Sequence, residues 1–92
     1  MTTTARSSNI TSAAWVELSN GSANVTVDLD LTKVVAPDVV LRVSTSLPSA
    51  SDWDGFRLDG SRRAFPFSGL VAGDKVYARS TGADTTVIVA KS

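Results

Sequence analysis

The residue types that carry out most protein chemistry are scarce in this chain. It has no histidine and no cysteine, so the commonest general base, the thiol nucleophile and the preferred zinc ligands are all missing. Acid–base work would fall to eight aspartates and Glu17. Paired carboxylates can flank a glycosidic bond, but a sugar-cleaving groove also needs aromatic platforms. Only six aromatic rings are present, and at least three of them fall in stretches that belong to a core. The chain is therefore expected to be non-enzymatic and to need no cofactor.

Two groups of residues remain as candidates for binding. Asp52-Trp53-Asp54-Gly55 places alternating carboxylates before a glycine, the start of a calcium-loop pattern, but the later bidentate glutamate of such loops is missing. The structural reading is preferred: Asp52 caps a turn, Trp53 lays its ring over a sheet edge, and Asp54-Gly55 turns the chain into the next strand. Arg57, Arg62 and Arg63 gather near one turn and are expected to be solvated or paired within the chain. Bidentate pairing with carboxylates of a neighbouring subunit is the alternative, and Asp52, Asp54 and Asp59 are candidate acceptors within the chain or across an interface. Trp53, Asp52, Asp54, Arg57, Arg62 and Arg63 together form the candidate interaction surface. Trp15 is read as a core anchor.

The elements that must position these residues follow a period of two. Val25, Val27, Leu29 and Leu31 alternate with Asn24, Thr26, Asp28 and Asp30, the pattern of a half-buried strand. Ahead of it, Trp15-Val16-Glu17-Leu18 is joined through Asn20-Gly21, a hairpin signal that predicts pairing of the first two strands. After the break at Ala36-Pro37-Asp38, residues 39–44 resume as a strand with Val39, Leu41 and Val43 on one side. Residues 45–54 read as an exposed loop. Short strands follow at 56–58 and 64–67, expected to pair through a loop from Asp59 to Arg62. That register sets Phe56 opposite Phe65 and avoids Arg57 facing Arg62. Residues 75–80 and 85–90 are expected to form a last hairpin.

About seven short strands, with turn signals every 8–12 residues and almost no helix, predict an all-β protein. The expected fold is a small antiparallel β-sandwich of immunoglobulin-like or jelly-roll connectivity. A chain of 92 residues holds one core and buries only about 60–65% of its unfolded surface, so burial between copies would add stability. Residues 1–13 are expected to be a flexible arm and 14–92 the domain, because Ile10 is the only large aliphatic side chain in that first stretch. The sequence carries no apolar leader after a basic start and no run of about 18 apolar residues, so neither secretion by that route nor a membrane partner is expected. Nine basic residues balance nine acidic ones, which disfavours bare nucleic acid as a partner.

The segment from Phe67 to Lys91 combines a Gly73-Asp74 turn, a strand carrying Tyr77, a Thr81-Gly82 turn and the Val-rich run Val87-Ile88-Val89. It resembles the closing segment of small accessory virion proteins of tailed bacteriophages. The resemblance covers about a quarter of the chain and brings no functional residues with it. It implies a non-enzymatic structural protein located in the virion and made in the host cytoplasm. Such proteins serve as capsid decoration or cement, or as small head-fibre, collar or tail components. The implied partners are further copies of the chain, commonly in a trimer, and other virion proteins such as a major capsid protein. A carbohydrate- or host-surface-binding β-sandwich module is the alternative, with Trp53 and the nearby aspartates meeting a glycan. A generic interaction domain on a larger assembly is a third. Glycan binding predicts an exposed aromatic ring beside polar groups, whereas a cement role predicts an exposed apolar patch and a mobile arm.

Overall fold

The computed structural model describes residues 4–29, 38–59 and 61–92. Eight strands are formed: β1 (Thr4–Ile10), β2 (Val16–Asn20), β3 (Val25–Leu29), β4 (Val39–Ser44), β5 (Phe56–Leu58), β6 (Ala64–Phe67), β7 (Lys75–Ser80) and β8 (Thr85–Lys91). They make two antiparallel four-stranded sheets, in the orders β1-β8-β3-β6 and β2-β7-β4-β5. Every connection crosses between the sheets except β4 to β5. This is jelly-roll connectivity, and of the two arrangements expected from sequence it excludes the immunoglobulin-like one. No helix occurs among the described residues.

Alternation fills the space between the sheets. In β3, Val25, Val27 and Leu29 are buried while Thr26 and Asp28 are half-buried. Val39 and Leu41 of β4, Val76 and Ala78 of β7, and Val87 and Val89 of β8 complete an aliphatic core with Leu18, Leu58 and Phe67. The apolar surface removed from water by these side chains is the main stabilising term of the fold.

Three predicted hairpins are corrected. β2 pairs with β7 and not with β3, β5 pairs with β4 and β6 with β3, and β7 and β8 lie in different sheets. At Asn20-Gly21 only Gly21 takes a positive φ, 82°. Its backbone N–H donates to the Asp74 carbonyl, 3.0 Å away, and the chain swings into the opposite sheet. A local turn signal reports a reversal of direction but carries no information about which strand edge the next segment finds.

The strand count is also corrected, because residues 4–10, read as part of a flexible arm, form β1. This strand pairs with β8 from Thr4↔Lys91 to Ile10↔Thr85. The sandwich is thus not confined to residues 14–92. An edge strand is held by a main-chain ladder that needs few apolar side chains, and here Ile10, 2% exposed, anchors its end in the core. Met1 to Thr3 lie outside the described residues, as do Asp30, Leu31, Ala36, Pro37 and Gly60 of the sequence reading.

Candidate functional site

Sheet β2-β7-β4-β5 is covered on its outer side by the loop of residues 45–55, and the cover has its own small core. Strand β7 is buried from Val76 to Ser80 on both faces, with Tyr77 and Arg79 alternating against the inward Val76 and Ala78. In β4, Val39 and Leu41 enter the main core, while Val40 forms a separate cluster with Trp15 and Tyr77. Trp15 is therefore a buried anchor, but of this outer cluster.

At the centre lies Arg79, a residue not singled out by its sequence pattern, with 2% of its surface exposed. Its Nη1 donates to the carbonyls of Ala50 (2.8 Å) and Asp52 (3.0 Å), and its Nη2 donates to the carbonyl of Ser12 (2.6 Å). The guanidinium carbon stands 3.4 Å from the centroid of the Trp53 ring and 5.5 Å from that of Trp15. One planar cation thus joins β7, the loop after β1 and the β4–β5 loop, using donor directions and a flat face that lysine lacks.

Asp52 is the corresponding hub on the loop. Its carbonyl accepts from Arg79 and also from Trp15 Nε1, 2.9 Å away. Its carboxylate accepts from the Asp54 backbone N–H at 3.0 Å and pairs with Arg42. The Asp54 N–H, followed by the Arg42 guanidinium, holds the Asp52 carboxyl below the usual aspartate range. The next turn is fixed by Gly55, where an added Cβ would sit 2.2 Å from the Leu41 carbonyl oxygen and 2.8 Å from Val40 Cγ1. Glycine is required there for close approach of backbone to backbone.

The structural reading of Asp52 as a turn cap holds, and Asp54-Gly55 leads into β5 as expected. Trp53 differs in one respect: its ring covers the guanidinium of Arg79, on the interior strand β7, and not a sheet edge, and the residue remains 46% exposed. No group of three or more carboxylates converges on a metal-sized site among the described residues.

The arginines lie elsewhere. Arg57 on β5 is exposed and pairs with Asp38 at 3.8 Å, and Arg62 lies over the Phe65 ring at 5.9 Å. Arg63 is exposed, and its carbonyl accepts from the Leu29 N–H at 2.8 Å. Asp59 caps the turn between β5 and β6 by accepting from the N–H groups of Ser61 (2.8 Å) and Arg62 (3.0 Å), which hold its carboxyl below the ordinary value.

A second feature closes the gap between the two sheets along β5 and β6. Phe56 of β5 stacks on Phe65 of β6 with centroids 4.6 Å apart, and Phe65 in turn lies 4.7 Å from Phe67. The expected Phe56–Phe65 contact is therefore made, but between edge strands of opposite sheets and not across a hairpin. Phe56 keeps 49% of its surface exposed.

An open recess of about 340 Å³ is lined by Asn9, Ile10, Thr11, Asp84, Thr85 and Thr86. It holds a single ionisable side chain, Asp84, which offers no acid–base pair. No protein-family model, no curated protein and no solved structure matches this chain.

Proposed function

We propose that this chain is a non-enzymatic structural component of a bacteriophage virion, working through protein–protein contact as a capsid decoration or cement protein or as a small head or tail accessory. The observation that carries the reading is the aromatic patch on the β5–β6 side, where Phe56 is 49% exposed and rests on Phe65 beneath Arg62. Aromatic rings and arginine are the residues enriched in protein interfaces, and here a half-exposed ring is held on a fixed edge where a partner would bury it.

The character of the two edge strands agrees. β5 is three residues long, and β6 carries Pro66, so neither favours addition of a foreign strand. Contact there would be made by side chains, as in the symmetric oligomers that the resemblance of residues 67–91 implies. The proposed partners are other copies of the chain and a major capsid protein.

The non-enzymatic reading is supported by the use of the carboxylates: Asp52, Asp59, Asp38 and Glu17 are taken up by Arg42, by backbone N–H groups, by Arg57 and by Lys75. Mass spectrometry of purified virions produced from the genome that encodes the chain tests the location. The chain is expected among the particle proteins, and its absence would overturn the reading. Sedimentation of the purified protein tests the surface: Phe56→Ser is expected to lower the oligomeric mass or to abolish incorporation into particles.

A further inference from the structure

We propose that the outward face of Trp53 is a sugar-binding platform that takes the apolar face of a pyranose ring in a neutral polysaccharide. Two facts fix the geometry of this ring. One face is occupied by the Arg79 guanidinium at 3.4 Å, and the residue is nevertheless 46% exposed. Solvent reaches the residue from sides other than the face that the guanidinium covers.

An indole on a surface loop would ordinarily be free to collapse onto the domain, but this one cannot. Arg79 is itself nearly fully buried and pinned by the carbonyls of Ser12, Ala50 and Asp52, and Asp52 also accepts from Trp15 Nε1. The platform is thus fixed before any ligand arrives, which removes most of the ordering cost of binding. Polar groups stand next to it in the chain: the Ser51 hydroxyl, 2.9 Å from Ser49 Oγ, and the exposed Asp54 carboxylate, whose backbone is held by Asp52. A flat apolar surface with hydroxyl and carboxylate acceptors on the adjoining residues suits a ring with apolar C–H faces and a rim of hydroxyl donors.

Other ligands with flat or charged faces fit less well. A cationic ligand would stack on a ring whose far side already carries a guanidinium, which draws electron density from the face it needs. A nucleic-acid base would bring a phosphate towards Asp54, while the nearby cations are committed, Arg42 to Asp52 and Arg79 to main-chain carbonyls. A neutral sugar suffers neither penalty.

This site is separate from the Phe56 patch and does not depend on the virion reading. Affinity electrophoresis of the full chain through gels containing amylose, dextran, laminarin, xylan or bacterial O-polysaccharide provides the test, with tryptophan emission as a second readout. At least one polysaccharide should retard the protein and shift its emission. Trp53→Ala should weaken that binding about tenfold or more, Trp53→Tyr should keep most of it, and Phe56→Ser should leave it unchanged. Thermal melting of Trp53→Ala separates loss of the platform from loss of the fold. Failure of all the polysaccharides, or retardation unaltered in Trp53→Ala, would overturn the proposal. So would a Trp53→Ala protein that loses self-association or particle attachment, because the ring would then be a protein contact.

Discussion

The space between the two sheets and the cluster outside sheet β2-β7-β4-β5 are built on opposite terms. Between the sheets, Val25, Val27, Leu41, Val76 and Val87 are fully buried and require of one another only shape and volume. Outside, Trp15, Val40 and Tyr77 are too few to exclude water alone, and they are covered because Arg79 draws a loop down over them. The first core is held by many interchangeable contacts. The second depends chiefly on Arg79, whose donors meet three carbonyls, with Trp15 Nε1 and Arg42 also holding Asp52. Truncating an aliphatic residue of the first leaves a cavity, whereas truncating Arg79 takes the guanidinium donors from the Ser12, Ala50 and Asp52 carbonyls and the main anchor from the loop.

That contrast can be broken experimentally. The largest effect is expected for Arg79→Ala, at about 2–5 kcal/mol of unfolding free energy, accompanied by protease cleavage within residues 45–55. Leu41→Ala should cost a similar amount, about 2–5 kcal/mol, but without that selective cleavage. Urea denaturation and limited proteolysis on the two variants separate the effects. If Arg79→Ala left the loop as protected as Leu41→Ala does, the account of Arg79 as the main anchor would fail.

Gly55→Ala comes next, because its Cβ would stand 2.2 Å from the Leu41 carbonyl oxygen. Backbone on both sides must shift, and a loss of about 1–3 kcal/mol is expected. The change should fall first on β4–β5 pairing, read by amide exchange at Phe56 and Leu58. Trp53→Ala removes one aromatic face from Arg79 but none of its hydrogen bonds, so about 1 kcal/mol is expected in the same denaturation experiment.

The smallest effect concerns pH. Both Asp52 and Asp59 have carboxyls lowered from the ordinary value of 3.8, chiefly by backbone N–H donors. Their contribution to stability is therefore present above about pH 4 and is lost as the pH falls below 3.8 through the folded-state values. Asp52→Asn should flatten the acid limb of a melting-temperature profile between pH 5 and pH 2, with little change in the slope above it. An unchanged acid limb would mean that the Asp54 N–H and Arg42 do not favour the ionised form.

The sequence by itself determined the class of fold and the places of most strands. Alternation in Val25–Leu29 and Val39–Val43 marks the inward side chains, because side-chain direction in a strand depends only on the parity of the position. It also determined that Asp52 caps a turn and that residues 45–54 form a loop, since both are local properties of a few neighbouring residues. Strand partners were decided only by the tertiary structure. Asn20-Gly21 fixed a reversal but not the sheet that β3 would enter, and residues 4–10, poor in apolar side chains, became a strand through the main-chain ladder offered by β8.

The outer cluster was equally hidden. Arg79 sits in the run Lys75-Val76-Tyr77-Ala78-Arg79-Ser80, where parity sends it outward, and an outward arginine ordinarily lies in water. Its burial needs Ser12, Ala50 and Trp53, which stand 67, 29 and 26 positions away in the chain, to arrive at one point. No periodicity within a strand carries that information. Only the folded arrangement of the β4–β5 loop over β7 brings the carbonyls and the indole to the guanidinium.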